Sequence, residues 1–397
     1  MLPTTADNGA RLAAILPSGL AAVARGTGTQ LPADLAYAAS EALPSLRAFV
    51  LIVVDGLGSA NLAARIGHAP NIGALQRKRI ETVAPSTTGA ALTTLLTGRL
   101  PGEHGLIGYR IRHPEAGLVT TLRDWDEIAD PSSWQRATPL LSRATEVGAR
   151  AIAIGRPAHA TGGLTEAILS GADYLGGQRI ADRFALASQA LRSGDPAIIY
   201  LYVDELDKAA HESGWQSEAW VRRLEQLDAA LGDFLRTLPG DVGVALTADH
   251  GIVDVASHQQ VMLDADPPLL EDVEEIGGEP RFRSLYVREG ADADRVAAAW
   301  SEAEGQRAWV MTRERAIEAG YFGPVQPEVA DRLGEVLIAA RKQVAYYSSS
   351  DDPRALAMVG QHGSFTDEER GVPLALGGAL AGSGFAAAVA RAAAQPR

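Results

Sequence analysis

The sequence predicts an α/β fold: a doubly wound, mostly parallel central sheet flanked by helices, with a smaller α+β insertion near the C-terminus. Strongly apolar, β-branched runs are typical of strands that are buried on both faces of a parallel sheet. Three such runs are Ala48–Val54 (AFVLIVV), Ala197–Val203 (AIIYLYV) and Val242–Thr247 (VGVALT). Helical patterns lie between them, including residues 218–235, where large apolar side chains recur at helical spacing. Alternating strands and helices form such a sheet, and ligand sites lie at the carboxyl ends of its strands.

Residues 257–352 have a different character. They begin with an acidic, proline-containing stretch (LDADPPLLEDVEEIGGEP), followed by strand candidates RSLYV, AWVMT and LGEVLIAA and the helix candidate DADRVAAAWSEAE. We therefore expect residues 257–352 to form an inserted α+β cap subdomain. The catalytic α/β domain then comprises residues 1–256 and 353–397, and the Ala-rich tail is expected to end in a surface helix.

The composition limits the possible partners. The chain has 397 residues, with 36 Lys+Arg against 49 Asp+Glu and a formal charge of −13, so we expect it to bind neither nucleic-acid polymers nor membranes. The absence of cysteine excludes disulfides and thiol nucleophiles. The apolar runs are too short to span a bilayer, and the N-terminal segment lacks a cationic start, which predicts a cytoplasmic protein. The sequence leaves the oligomeric state open.

Potential metal ligands follow two of the predicted strands. Asp55 comes directly after the first strand, and Gly56 allows a sharp turn there. Asp249 and His250 end another strand and are followed by a glycine. The structural alternatives are an ordinary Asp-Gly turn and a capped loop with a surface histidine. The strand-end positions favour a metal site.

Two further clusters supply the remaining candidate ligands. Asp207 and His211 are four residues apart, which places both side chains on one face of a helical turn. Asp204 and Glu205 are alternative candidates for the carboxylate ligand in this cluster. The structural alternative to a metal site is an acidic helix start that is exposed to solvent. His362 lies between glycines after the insertion. Six nitrogen and oxygen ligands suit two divalent metals. The remaining histidines are interpreted as structural or surface residues: His68, His104, His113, His159 and His258.

Thr88, in PSTTGAALTTLLTG, is the candidate nucleophile. A hydroxyl at a helix start often serves as an N-cap, and Ser86 or Thr87 could serve equally. The functional interpretation uses the same geometry, because a helix N-terminus presents free N–H groups that can bind a phosphate oxygen. A metal ion would lower the pKa of the hydroxyl and make it a nucleophile.

The set of motifs resembles the type I phosphodiesterase and nucleotide pyrophosphatase branch of the alkaline phosphatase superfamily. The matching segments are VVDGLG, PSTTGAALTTLLTGRLPGEHGL, VDELDKAAHESG, TADHG and GQHG, spread over about residues 47–376. The resemblance implies an alkaline phosphatase-like fold and two metal ions, with zinc expected and manganese as the alternative. The resemblance also implies that one ion is held by Asp207, His211 and His362, and the other by Asp55, Asp249, His250 and the Thr88 oxygen. Thr88 lies nine residues before Thr97, the threonine of the TG pair in LLTGRLPGEHG. The resemblance implies that the family's nucleophile has this same spacing, which selects Thr88.

The sequence departs from the family pattern at two positions. Nucleotide-directed members carry an asparagine three residues after the nucleophile, where this chain has Ala91, and Ala210 replaces the glycine before His211. Arg110 and Arg112 are candidates for the missing substrate contact. The alternative is that both are solvent-exposed loop residues.

The predicted activity is hydrolysis of phosphate esters, with phosphodiesters or nucleotide-type pyrophosphates as substrates and a phospho-threonine intermediate at Thr88. Three alternatives use the same site: a phosphonate hydrolase that holds a substrate carboxylate with Arg110 or Arg112, a phosphomonoesterase, and a phosphotransferase. A fourth alternative is a non-catalytic metal-binding protein in which Thr88 only caps a helix. The partner in each enzymatic case is a small phosphate ester or phosphonate.

Overall fold

The computed structural model describes residues 2–349 and 351–395. Its strands are numbered along the chain: β1 Ala48–Val54, β2 Gln76–Glu81, β3 Arg110–His113, β4 Gly117–Thr120, β5 Arg150–Gly155, β6 Asp173–Gly176, β7 Ala197–Val203, β8 Val242–Thr247, β9 Val253–Asp254, β10 Gln260–Met262, β11 Val273–Glu279, β12 Phe282–Val287, β13 Ala308–Thr312, β14 Val336–Ala340, β15 Ala345–Tyr347, β16 Gly360–Gln361 and β17 Gly371–Gly378.

The α-helices of the described residues are α1 Ala10–Thr27, α2 Ser59–Ala64, α3 Pro70–Ala74, α4 Thr88–Thr97, α5 Pro101–His104, α6 Pro131–Trp134, α7 Gly163–Leu169, α8 Ile180–Leu191, α9 Glu205–Ser213, α10 Glu218–Arg236, α11 Ala293–Glu304, α12 Arg313–Glu318, α13 Pro327–Ala330, α14 Pro353–Leu356, α15 Asp367–Arg370 and α16 Phe385–Ala393. Short 3-10 helices are Ala33–Ala38, Ile66–His68, Trp125–Glu127, Leu140–Val147, Pro157–His159, Ser257–Gln259, Leu263–Ala265 and Pro267–Leu270.

The main sheet has seven strands in the order β2-β17-β8-β1-β7-β5-β6. The strands from β8 to β6 run parallel, and β17 lies antiparallel between β8 and β2. Helices α1, α4 and α16 pack together, as do α3, α8, α9 and α10, and these two groups flank the sheet. The predicted α/β class with a mostly parallel central sheet is therefore confirmed.

The register of the central strands brings their carboxyl ends to one edge. β1 pairs with β7 so that Val54 lies opposite Val203, and with β8 so that Val53 lies opposite Thr247. All seven residues of β1 are buried, as expected for a strand covered on both faces. The residues that follow these three strands therefore emerge close together.

A smaller antiparallel sheet, β11-β12-β14-β13, lies within residues 257–352. Its strands β12, β13 and β14 and the helix α11 match the predicted elements. Asp292 caps α11 by accepting from the Asp294 and Arg295 amides. Strand β11 was not predicted, because its sequence VEEIGGE lies in the acidic stretch and lacks an apolar alternation.

Over the described parts of the chain, none of the helices combines the length and apolar character needed to cross a bilayer.

The C-terminal helix α16 was predicted as a surface helix. It docks on α1 through a buried face that contains Phe385, Ala388, Val389 and Ala392.

Candidate metal centre

Tight turns after the central strands place the acidic side chains over the sheet edge. The Asp55 amide donates to the Val203 carbonyl at 2.8 Å, which continues the pairing of β1 and β7 by one residue. Gly56 then turns with φ +72°, and its amide donates to Asp249 Oδ1 at 3.1 Å. A Cβ at Gly56 would lie 2.6 Å from Ile252 Cδ1 and 3.2 Å from Asp207 Cα, and the positive φ also favours glycine at this position.

Asp55, Asp249 and His250 form the first group of potential ligands. Each offers one ligand atom, these atoms lie within 4.8 Å of one another, and all three residues are buried. His250 Nε2 lies 3.3 Å from Asp55 Oδ1 and 3.6 Å from Asp249 Oδ2. Those two buried carboxylate oxygens accept no hydrogen bond within the described residues. Buried oxygens without a donor are costly unless they bind a cation, so this group fits a metal ion.

Asp207, His211 and His362 form the second group, again with ligand atoms within 4.8 Å of one another. Asp207 and His211 lie one turn apart on α9, and His211 Nε2 is 3.2 Å from Asp207 Oδ2. Asp207 Oδ1 is buried and lacks a hydrogen-bond donor in the described part of the chain. The competing Asp204 and Glu205 are engaged elsewhere, since both pair with Arg156.

The orientation of the three histidines also fits metal binding. In each ring Nδ1 faces a main-chain carbonyl, which can only accept a hydrogen bond, so Nδ1 carries a proton and Nε2 is the nitrogen left to bind a metal ion. The pairs are His211 Nδ1 with Gly360 O at 2.7 Å, His362 Nδ1 with Ser86 O at 3.0 Å, and His250 Nδ1 with Gly251 O at 3.3 Å. Metal-ligating histidines are held in this way by such outer partners. The His250 and His362 rings stack with centroids 3.6 Å apart, so the two groups adjoin.

The electrostatics of the two ligand groups also favour a bound cation. Burial, together with the neighbouring Asp249 and Asp207 carboxylates, raises the pKa of Asp55 well above its usual value. Burial also opposes ionisation of Asp207, but the adjacent His211 outweighs it and the pKa of Asp207 falls below its usual range. Burial lowers the pKa of His211, yet Asp207 raises it to about 9. Crowded buried carboxylates of this kind are stabilised by bound cations.

Thr88 is the first residue of α4, and its Oγ lies 3.2 Å from His250 Nε2. Among the described residues, no hydroxyl at this helix start acts as a side-chain N-cap. The N-cap residue is Thr87, whose side chain makes no cap hydrogen bond, and the Ser86 hydroxyl donates to the Ser364 carbonyl at 2.8 Å. The Thr88 hydroxyl therefore faces the first ligand group at the N-terminus of a ten-residue helix. That helix end can bind an anionic oxygen.

A cavity of about 510 Å³ opens beside both ligand groups. Arg110 and Arg112 lie on β3, and neither is among the described residues that line this cavity. Arg112 pairs with Glu275 at 2.8 Å, and its guanidinium stacks 4.1 Å from the centroid of the Tyr286 ring. The structure therefore does not bring these two arginines together with the other predicted site residues. Ala91 is fully buried within α4.

Sequence reasoning missed two residues that contact the candidate ligands. The Tyr202 hydroxyl donates to Asp55 Oδ2. The signal was present, because the tyrosines of AIIYLYV are the only hydroxyl-bearing residues of that strand and share one face. Glu279 ends β11 and lies 3.5 Å from His362 Nδ1. No signal distinguished it among the acids of its stretch.

The family profile described as type I phosphodiesterase/nucleotide pyrophosphatase matches residues 49–365. The chain belongs to this family. The phosphodiesterase-family resemblance predicted from the motifs is thus confirmed, and membership places the chain among the hydrolytic enzymes of the family.

Solved structures share the family fold. The chain resembles murine ectonucleotide pyrophosphatase/phosphodiesterase 5, in an inactive form in complex with AMP, at TM-score 0.64 and 20% identity over 82% of this chain and 87% of that one. It also resembles phosphonoacetate hydrolase from Sinorhizobium meliloti 1021 in complex with phosphonoacetate, at TM-score 0.66 and 19% identity over 88% and 97%. At such identities the likeness establishes the fold. A search of curated proteins returns no sequence match.

Proposed function

We propose that this chain is a two-metal hydrolase that cleaves phosphate esters, diesters in preference to monoesters, with Thr88 as the covalent nucleophile. The observation that supports it best is the position of the Thr88 hydroxyl beside two adjoining ligand groups. Asp55, Asp249 and His250 would hold one ion together with the Thr88 oxygen. The second group, defined above, would hold the other.

The donor set supports divalent ions without selecting one. All six ligand atoms are oxygen or nitrogen, which suits zinc and also manganese. When bound, the ions would lower the pKa of the Thr88 hydroxyl, neutralise the phosphate and stabilise the leaving oxygen.

The chain's own residues then carry out two displacements. Thr88 Oγ forms a bond to phosphorus while the bond to the leaving alkoxide breaks, and the alkoxide takes up the proton given up by Thr88. Free N–H groups at the start of α4 hold a non-bridging phosphate oxygen. Water then cleaves the Oγ–P bond, which restores the Thr88 hydroxyl and releases the monoester. The net reaction is diester plus water to monoester plus alcohol.

We also propose that residues 257–352 form a cap on a catalytic domain of residues 1–256 and 353–397. Two observations support the division. The smaller sheet lies within the proposed cap, and Glu279 at the end of its strand β11 lines the cavity.

The test compares initial rates on bis-p-nitrophenyl phosphate and p-nitrophenyl phosphate for the zinc-loaded protein. We expect the diester to be hydrolysed faster, and Thr88→Ala to abolish turnover while keeping metal content. Thr87→Ala is the matched control, because it removes the neighbouring hydroxyl at the same helix end and should leave turnover measurable. Full activity of Thr88→Ala would show that Thr88 is not the nucleophile.

Three alternatives predict other results. A phosphonate hydrolase would release phosphate from phosphonoacetate, although no arginine lines the described part of the cavity to hold the carboxylate. A phosphotransferase would pass the phosphoryl group to added alcohols with little net phosphate release. A non-catalytic protein would bind metal tightly with no turnover of any ester.

A further inference from the structure

The wall of the cavity beyond the ligand groups is mainly apolar. Six aliphatic side chains contribute to it: Leu92, Leu122, Ile154, Leu164, Ile168 and Leu169. The rings of Tyr200 and Tyr202 stack at 6.3 Å and 13° along the same wall. Small-molecule sites of this size are typically lined by apolar groups, and a few polar groups fix the orientation of the ligand.

The exposure of Leu122 is unusual for this protein. Among the described residues only two large hydrophobic residues are exposed, Leu2 near the N-terminus and Leu122 at the cavity, where Leu122 is 38% exposed. An apolar side chain at the mouth of a ligand cavity loses its contact with water when an apolar ligand enters.

The cavity offers little positive charge for a second anionic group. Besides the candidate metal ligands, its described cationic or basic lining residues are Lys208 and His159. Lys208 pairs with the buried carboxylate of Asp204. Burial lowers the pKa of His159, which disfavours the charged form of the ring. A second anionic group that reaches beyond the proposed metal ions would therefore find no unpaired lysine or arginine among the described lining residues.

From this wall and the exposed Leu122, we infer that the substrate is a phosphate ester that carries a long or bulky apolar group, seated in the cavity beside the ligand groups. The inference rests on the proposed function and narrows its substrate class. It separates the chain from enzymes that select a nucleoside diphosphate or a small carboxylated phosphonate.

The test uses n-alkyl p-nitrophenyl phosphates with methyl, butyl and octyl chains, together with the p-nitrophenyl ester of thymidine 5′-phosphate. We expect kcat/KM to rise with chain length, by at most about fourfold per buried methylene, and the octyl ester to exceed the thymidine ester. A flat series, or a thymidine ester that is the best substrate, would overturn the inference.

Matched variants locate the effect. Leu122→Asp places a charge on the apolar wall and should flatten the rise of kcat/KM with chain length. Leu2→Asp makes the same change at the other exposed leucine, away from the cavity, and should leave the whole series unchanged. If both variants keep the parent's rise, the alkyl chain does not lie against Leu122 and the inference fails.

A binding measurement distinguishes this inference from the proposed function. Methylphosphonate and octylphosphonate carry a C–P bond in place of the ester, and calorimetry on the zinc-loaded protein, below micelle-forming concentrations, gives their affinities. If no ester is hydrolysed but octylphosphonate binds more tightly and Leu122→Asp removes the difference, the proposed function fails and the apolar site stands. Equal affinities for the two phosphonates would overturn the apolar site.

Discussion

The Tyr202 hydroxyl provides a test of the first ligand group that leaves every ligand in place. It donates to Asp55 Oδ2, while Asp55 Oδ1 faces His250 Nε2 at 3.3 Å and has no donor in the described part of the chain. One carboxylate oxygen is thus fixed and the other is free to bind an ion. Tyr202→Phe removes only this fixing hydrogen bond.

The size of the effect follows from the type of bond lost. A hydrogen bond to a charged group contributes about 1.5–3 kcal/mol, and loss of an outer partner of a metal ligand costs about 10–100-fold in metal affinity. We expect Tyr202→Phe to weaken zinc binding at the Asp55, Asp249 and His250 group by about 10–100-fold. Binding at the group that contains His211 should change little.

The assay is a competitive zinc titration with a chromophoric chelator, combined with metal content by mass spectrometry after dialysis. Tyr200→Phe is the matched control, since this stacked neighbour does not donate to Asp55 among the described contacts. Equal zinc affinities for the parent and Tyr202→Phe would refute the reasoning that this hydroxyl orients a metal ligand.

Three further predictions concern other contacts. His211→Ala should lower the bound metal by about one ion per chain, measured by mass spectrometry, and an unchanged content would contradict its assignment as a ligand. Arg281→Met leaves the buried Glu369 carboxylate without its two 2.7 Å contacts; the free energy of unfolding in urea should fall by about 3–5 kcal/mol, and a loss under about 1 kcal/mol would refute the buried pair. Burial opposes ionisation of Asp204, but Lys208 and an arginine hold its pKa at about 2. That pKa is lower than the value of about 3.9 expected for Asp204 in the unfolded chain. The ionised Asp204 carboxylate therefore stabilises the fold fully above about pH 3.9, and this stabilisation is lost as the pH falls toward 2. The urea midpoint of metal-free parent protein should therefore fall more steeply between about pH 4 and 3 than that of Asp204→Asn, and parallel curves would contradict this.

The central sheet was predictable because its strands are covered on both faces. Burial of both faces demands an unbroken apolar run, so β1, β7 and β8 begin and end where the runs do. Strand β11 pairs in an antiparallel hairpin and mixes acids with glycines, so its sequence carries no comparable pattern. That strand delivers Glu279 to the cavity.

The candidate site was predictable in part. The four-residue spacing of Asp207 and His211 indicates a shared face from sequence alone. The partnership of these two with His362 depends on a long-range fold, and the family resemblance supplied it where periodicity could not. The structure brings the same residues together, while their roles stay proposals. For Tyr202 the sequence shows a hydroxyl on one face of a buried strand, but its contact with Asp55 became evident only from the register of the neighbouring strands.

The most direct test of the central claim is to detect the phosphoryl group on Thr88. The zinc-loaded protein, mixed rapidly with bis-p-nitrophenyl phosphate and quenched in acid, is digested and analysed by mass spectrometry. We expect a Thr88 peptide that is heavier by the nitrophenyl phosphoryl group transferred from the substrate, and no such adduct in Thr88→Ala. Turnover with the adduct on another residue would contradict the assignment of Thr88 as the nucleophile. Turnover with no adduct, under conditions where the attack of water on the phospho-threonine is slowed, would also contradict this assignment.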